Sequence, residues 1–162
     1  MSDLSSTQRV LVSYIDKSRE FYLARGHANP YRWATHEDTP FASLAKPLSE
    51  SRVALVTTAS RTSEDWRARE VYAAPTQPAP EALHTNHLSW HKEATHTRDV
   101  ESFLPIRRLE EYVTDGRIGS LSPRFYGVKT DFSQRQTIDE YAPAVLDLCH
   151  ADAVDAVFLV AL

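Results

Sequence analysis

Apolar positions recur along this chain at two spacings, and stretches of the two kinds alternate. Over residues 7–25, Val10, Leu11, Tyr14, Ile15, Phe21 and Tyr22 fall close to helical spacing, and Gly26 follows where a C-cap is wanted. A looped stretch with Asn29-Pro30-Tyr31 and Thr39-Pro40-Phe41 comes next, and Pro47 stops a short helix over 41–46. Arg52-Val53-Ala54-Leu55-Val56-Thr57-Thr58 is the clearest internal strand, short and β-branched. Residues 60–80 turn polar and then proline-rich, which predicts a surface excursion, and a short strand is expected over 82–87. Pro105 opens a helix that puts Ile106, Leu109, Tyr112 and Val113 on one face and stops at Gly116. Ser122 to Tyr126 reads as extended. Thr137 and Glu140 form a capping-box pattern for a helix over 138–150, with Ile138, Tyr141, Val145, Leu148 and Cys149 as its apolar face.

The last eight residues, Asp155 to Leu162, form a continuous apolar run. Such a run predicts a strand covered on both faces of a parallel sheet. Helix and strand signals in alternation predict an α/β fold, a three-layer sandwich with a short, mainly parallel sheet, in a single domain spanning 1–162. No internal repeat is visible.

Composition narrows the functional classes. At 162 residues, the chain is long enough to bury a core. A net charge of -4 argues against a nucleic-acid binder, which would carry a basic patch. No apolar run approaches the roughly 20 residues that span a bilayer, and the polar start has no signal-peptide core, so no membrane is expected, and the single cysteine makes the reducing cytoplasm the expected compartment. Cys149 is the one cysteine, which excludes an internal disulfide and a CxxC motif; on the apolar face of its helix it reads as a buried, inert thiol.

Candidate chemistry gathers in two places. Thr57 and Thr58 end the first strand, where ligands collect in open α/β sheets, so their hydroxyls are candidate substrate-binding groups; strand-end β propensity explains them equally well. Four histidines, His84, His87, His91 and His96, lie within 13 residues, with Asp99 and Glu101 close behind. His87 and His91 would share a helical face, as paired metal ligands do, but Thr85, Asn86, Ser89 and Trp90 make a poor helix. No HExxH framework is present, and no metal is assigned. There is no GxGxxG or GxxxxGK[ST] loop for a phosphate.

Several segments, in order, resemble one family. Lys46-Pro47-Leu48-Ser49-Glu50-Ser51 leading into Arg52–Ala59 is similar to the approach to the first strand in the selenoprotein B family, the substrate-specific subunits of glycine, sarcosine, betaine and D-proline reductases. His87-Leu88-Ser89-Trp90-His91 resembles its histidine, two residues, aromatic, aspartate pattern. Leu104-Pro105-Ile106-Arg107-Arg108-Leu109 resembles its Phe-Pro-(apolar)-x-Arg-Leu segment. Gly116 to Tyr126 resembles a Gly-x-Ile-Gly-x-(apolar)-x-x-Arg-Phe-Tyr run, and Asp152 to Leu159 resembles an Asp-Gly-Val-Asp-Ala-Val strand.

The resemblance runs from about residue 20 to the C-terminus. It implies the substrate-binding part of a selenocysteine/cysteine-dependent reductase acting on a small amino-acid-like or amine substrate. In that family the last strand leads into selenocysteine or cysteine, two residues, then cysteine. The expectation is therefore that this chain carries no cofactor, and that a selenocysteine or cysteine pair lies beyond Leu162, with translation stopping at or near an in-frame UGA. His87 matches the family pattern and becomes the candidate catalytic acid–base group; Thr57, Thr58, His91 and Asp99 become candidate substrate-binding residues. His91 stands where the family tends to have aspartate, Glu101 where asparagine is common and Ser60 where glycine is usual, so substrate identity does not carry over. The expected partners are a small-molecule substrate and a partner subunit or C-terminal half, with a homo-oligomer left open. Two alternatives remain: a non-catalytic domain that binds a small anion or a partner, and a metal-dependent hydrolase or lyase built on His87, His91, His96 and Asp99.

Overall fold

The computed structural model describes residues 14–27, 37–38, 42–65, 67–68, 70–88, 92–130 and 133–162. They belong to two compact units, Met1–Pro40 and Phe41–Leu162. In the first unit, helix α1 spans Tyr14–Ala24. Its end is a Schellman turn: Gly26, at φ 83°, donates to Leu23 O at 2.9 Å, and His27 donates to Tyr22 O at 3.1 Å. The expected C-cap glycine is thus in place. Residues 7–13 of the expected helix lie outside the described residues.

The second unit is a mixed α/β fold built around β1 (Arg52–Thr57). The remaining strands are β2 (Tyr72–Pro75), β3 (Ser120–Leu121), β4 (Arg124–Gly127) and β5 (Ala156–Val160). One edge of β1 is shared by β3, at Arg52↔Ser120, and β4, at Thr57↔Gly127; β5 takes the other edge from Val53↔Ala156 to Thr57↔Val160. All three pair with β1 in parallel, while β2 lies antiparallel on β4. The sheet is therefore mainly parallel.

Alternation along β1 makes the three layers. Val53 and Leu55 point into a core with Phe103, Leu104, Phe125 and helix α2 (Ile106–Thr114), which supplies Ile106 and Leu109. Ala54 and Val56 point the other way, onto Tyr126, Cys149, Val145 and Leu148. Leu55, Leu104, Ile106 and Phe125 are almost fully buried, each worth about 1.5–3 kcal/mol of removed apolar surface. Helix α2 starts after Pro105 as expected, with the Glu101 carboxylate accepting the Arg107 N–H at 3.1 Å and the Arg108 N–H at 3.3 Å. It closes in a second Schellman turn at Gly116, φ 69°, where the Arg117 N–H reaches Tyr112 O at 2.9 Å. Gly119 passes so close to the chain before β1 that a Cβ would sit 2.5 Å from the Glu50 carbonyl carbon.

Four expectations about element boundaries need correction, and a fifth concerns the burial of β5. Residues 42–47 form no helix; Pro47 instead precedes a 3₁₀ turn at Leu48–Glu50. The excursion over 60–80 contains β2, a four-residue edge strand whose proline can stand there because it ends the ladder. Residues 82–87 make only a single bridge, Ser60↔His84, in place of a strand. The last helix begins earlier than the Thr137 box. Ser133 is the N-cap, its Oγ accepting the Gln136 N–H at 3.2 Å, and α3 (Gln134–Gln136), a π-helical stretch (Thr137–Tyr141) and α4 (Ala142–Ala151) follow without a break. Pro143 cannot donate to the preceding turn, and the wider π turn accommodates it.

Strand β5 is parallel, as its apolar run implies, but it is not covered on both faces by the described residues. Phe158 is 46% and Leu159 78% exposed, and β5 has β1 as its one neighbour among the described strands. The run thus reads correctly for strand and direction and wrongly for burial.

Candidate functional site

The carboxyl ends of β1, β4 and β5 lie side by side, as Thr57, Gly127 and Val160 are in register. In a parallel sheet this edge is where ligands meet backbone and strand-end side chains. Thr57 is buried, and its Oγ1 accepts the Ala59 N–H at 3.2 Å, so its hydroxyl turns the chain out of the strand. Thr58 is half-buried, and its Oγ1 accepts the Leu162 N–H at 3.0 Å, tying the chain that leaves β5 to the chain that leaves β1.

Two neighbours, Tyr72 and His84, fix the loop after Thr58. The Tyr72 hydroxyl donates to Ala59 O at 2.7 Å. The Tyr72 ring lies over Gly127 so closely that any Cβ there would overlap it. Burial raises the Tyr72 phenol well above its usual range, so it stays a neutral donor. Ser60 and His84 exchange both backbone hydrogen bonds, Ser60 N–H to His84 O at 2.9 Å and His84 N–H to Ser60 O at 2.7 Å.

That bridge brings the histidine segment to the sheet edge. His87 sits on the turn Thr85–Leu88, closed by the Leu88 N–H to Thr85 O at 2.9 Å, with Thr85 and Leu88 both buried. Its ring is stacked on His84, centroids 5.3 Å apart and planes inclined by 13°. Burial, then the neighbouring His84, hold the His87 imidazole below the usual histidine value, with Lys129 acting in the same sense; a hydrogen bond with the Thr58 backbone works against them. Near pH 7 the ring is therefore predominantly neutral and able to accept a proton.

The structure brings Thr57, Thr58 and His87 to one edge. Asp99 is used differently: its carboxylate caps the Val100–Ser102 turn, accepting the Glu101 N–H at 3.1 Å, and it borders a separate cavity of about 260 Å³ with Arg98 and Arg107. His91 lies outside the described residues. His96 is exposed, and no group of three His, Cys, Asp or Glu side chains among the described residues is placed to hold a metal. Cys149 is buried against the sheet, and burial pushes its thiol up, away from the reactive thiolate.

Sequence reading left out His84, Lys129 and Tyr72 as parts of this edge. Lys129 stands two residues past the end of β4, and strand-end position was the available signal for it. The partnership of His84 with Ser60 and His87 depends on a nonlocal bridge and has no sequence signature.

Two further cavities have no histidine among the described residues that line them, though Lys129 borders the second. One, about 540 Å³, opens beside Arg52, Gln77, Glu110 and Ser122, with Arg52 at the amino end of β1. The other, about 440 Å³ and apolar, lies between β5 and the last helix, lined by Val157, Leu159, Val145, Leu146 and Cys149. No helix among the described residues is long and apolar enough to cross a membrane. Comparison of the chain with family models, with curated proteins and with solved structures returned no match.

Proposed function

We propose that this domain is the substrate-binding part of a selenocysteine- or cysteine-dependent reductase-like oxidoreductase, with the carboxyl edge of β1 as its working site. One observation carries the reading: the Leu162 amide is bonded to the Thr58 hydroxyl at 3.0 Å, and Thr58 is the residue whose backbone holds His87. In the resembled family a redox motif follows the strand equivalent to β5. A motif in that position would start beside His87 and Thr58. Held neutral, His87 would take the proton of the thiol or selenol of the motif. The resulting thiolate or selenolate would bond to the carbon of a small amino-acid-like or amine substrate as the carbon–heteroatom bond breaks and the protonated heteroatom group leaves. Attack by the second cysteine of the motif would then release the carbon as C–H and leave an S–S or Se–S bond for an external dithiol to reduce.

The test is a reductase assay on protein that carries the motif, beside His87→Gln and the 162-residue chain alone. The reading expects activity in the first, a loss of about 10²-fold or more in the second and none in the third. Unaltered turnover in His87→Gln would remove His87 from the chemistry. Activity of the 162-residue chain by itself would overturn the reading altogether.

A second reading, a partner-binding domain without redox chemistry, is favoured by β5. Its exposed Val157, Phe158 and Leu159 and the apolar cavity beside them leave a sheet edge suited to strand addition. Purification of the chain with a stoichiometric partner would support it.

A further inference from the structure

We propose that His84 is a positioning residue for His87, holding that imidazole over the carboxyl end of β1 by ring stacking from a backbone pinned to Ser60. The inference rests on reading His87 as the working group of this edge, and adds to it the residue that sets the ring's orientation and charge environment.

The geometry has three parts. Both backbone hydrogen bonds between Ser60 and His84, at 2.9 and 2.7 Å, lock residue 84 to the loop that leaves β1. Thr85 and Leu88, each 3% exposed, anchor the two ends of the turn, and Thr85 Oγ1 lies 2.6 Å from Thr97 Oγ1. His87 is half-buried between those anchors, and its ring lies nearly flat on His84, with centroids 5.3 Å apart. A side chain so placed has few rotamers left, and the His84 ring closes one side of its space. The side chain of His84 takes no part in the Ser60 bridge, so it is available for this role.

The pair also has an electrostatic consequence. Among the described residues, His84, from its own segment, and Lys129, from the chain beyond β4, act electrostatically on His87, and the Thr58 backbone is hydrogen-bonded to it. Positive charge on either group opposes a proton on His87. His84 thus acts twice, as a flat surface that orients the ring and as a neighbour that keeps it available as a base.

The test is a histidine ring-proton and ring-carbon NMR titration of the chain, with His87 assigned by His87→Gln, in wild type, His84→Phe and His84→Ala. His84→Phe keeps an aromatic surface and the backbone bridge but removes the second ionisable ring. It should preserve the ring-current shift of the His87 signals and raise their titration midpoint. His84→Ala removes the surface as well, and should abolish that shift while leaving slow amide exchange at Ser60 and Leu88. His87 signals and midpoint unchanged in both variants would overturn the proposal. So would loss of amide protection in both, which would make residue 84 a structural support of the loop and nothing more. None of these readouts requires the redox motif, so failure of the reductase assay and failure of the His84 role are separately visible.

Discussion

Asp152 holds the Arg124 guanidinium through both carboxylate oxygens, with Arg124 Nη2 at 2.8 Å and Nε at 3.0 Å. The Tyr126 hydroxyl donates to the same carboxylate at 2.7 Å, and Arg52 Nη1 donates to Asp152 O at 2.6 Å. The turn between α4 and β5 is therefore fastened to the first residues of β4 and β1. Two motifs that carry the family resemblance, the Arg-Phe-Tyr run and the Asp-x-Val-Asp strand, are halves of one structural clamp. Burial raises the Tyr126 phenol to about 12, so it donates throughout the physiological range.

Asp152→Asn should destabilise the fold by about 1–3 kcal/mol, because the charge-assisted bonds are lost while Arg124 and Tyr126 keep their positions. The Arg124 hydrogen bonds hold the Asp152 carboxyl below its usual value. The unfolded chain binds that proton first as the pH falls, so the stability from this clamp is full above about pH 4 and is lost as the pH drops through the folded value. Urea midpoints measured from pH 7 to pH 2.5 should fall more steeply for wild type than for Asp152→Asn. Parallel curves would remove the clamp from the account.

Ala153 stands at φ 51°, the left-handed region that an L side chain enters at a cost. The resembled family has glycine in this place. Ala153→Gly should therefore stabilise the chain by about 0.5–1 kcal/mol, read as a higher urea midpoint with an unchanged slope. A lower midpoint would show that the turn is relaxed with alanine.

Leu159 is 78% exposed on a strand edge that has no charge or proline within Ala156–Val160. Such an edge templates further strands. Sedimentation velocity at rising concentration should show self-association of the wild-type chain. Leu159→Lys should suppress it while changing stability by less than about 0.5 kcal/mol. A wild-type chain that stays monomeric and leaves light scattering flat would contradict the role given to this edge.

How much of this was legible in the sequence depended on how local each cause was. Strand β1 and helix α2 were readable because β-branched alternation, Pro105 and Gly116 act within one element. Strand β2 was hidden because Tyr72-Ala73-Ala74-Pro75 has little β character of its own and forms by pairing with Phe125 and Tyr126 across the chain. The exposure of β5 was hidden because an apolar run reports what a strand is suited to, not which neighbours it has. At the candidate edge, Thr57 and Thr58 were legible as strand-end residues and His87 through the resemblance. The Ser60–His84 bridge that delivers His87 to them spans 24 residues and depends on the closed fold.

The central claim is that the edge carrying Thr58 and His87 receives a redox motif that follows β5. Reading the coding sequence from codon 162 through the next hundred codons tests it most directly. The account predicts a UGA or cysteine codon at or near that point, with an open frame continuing and a cysteine codon two residues further on. A UAA or UAG stop with no continuing frame would contradict it, and partner binding through β5 would become the leading account of this domain.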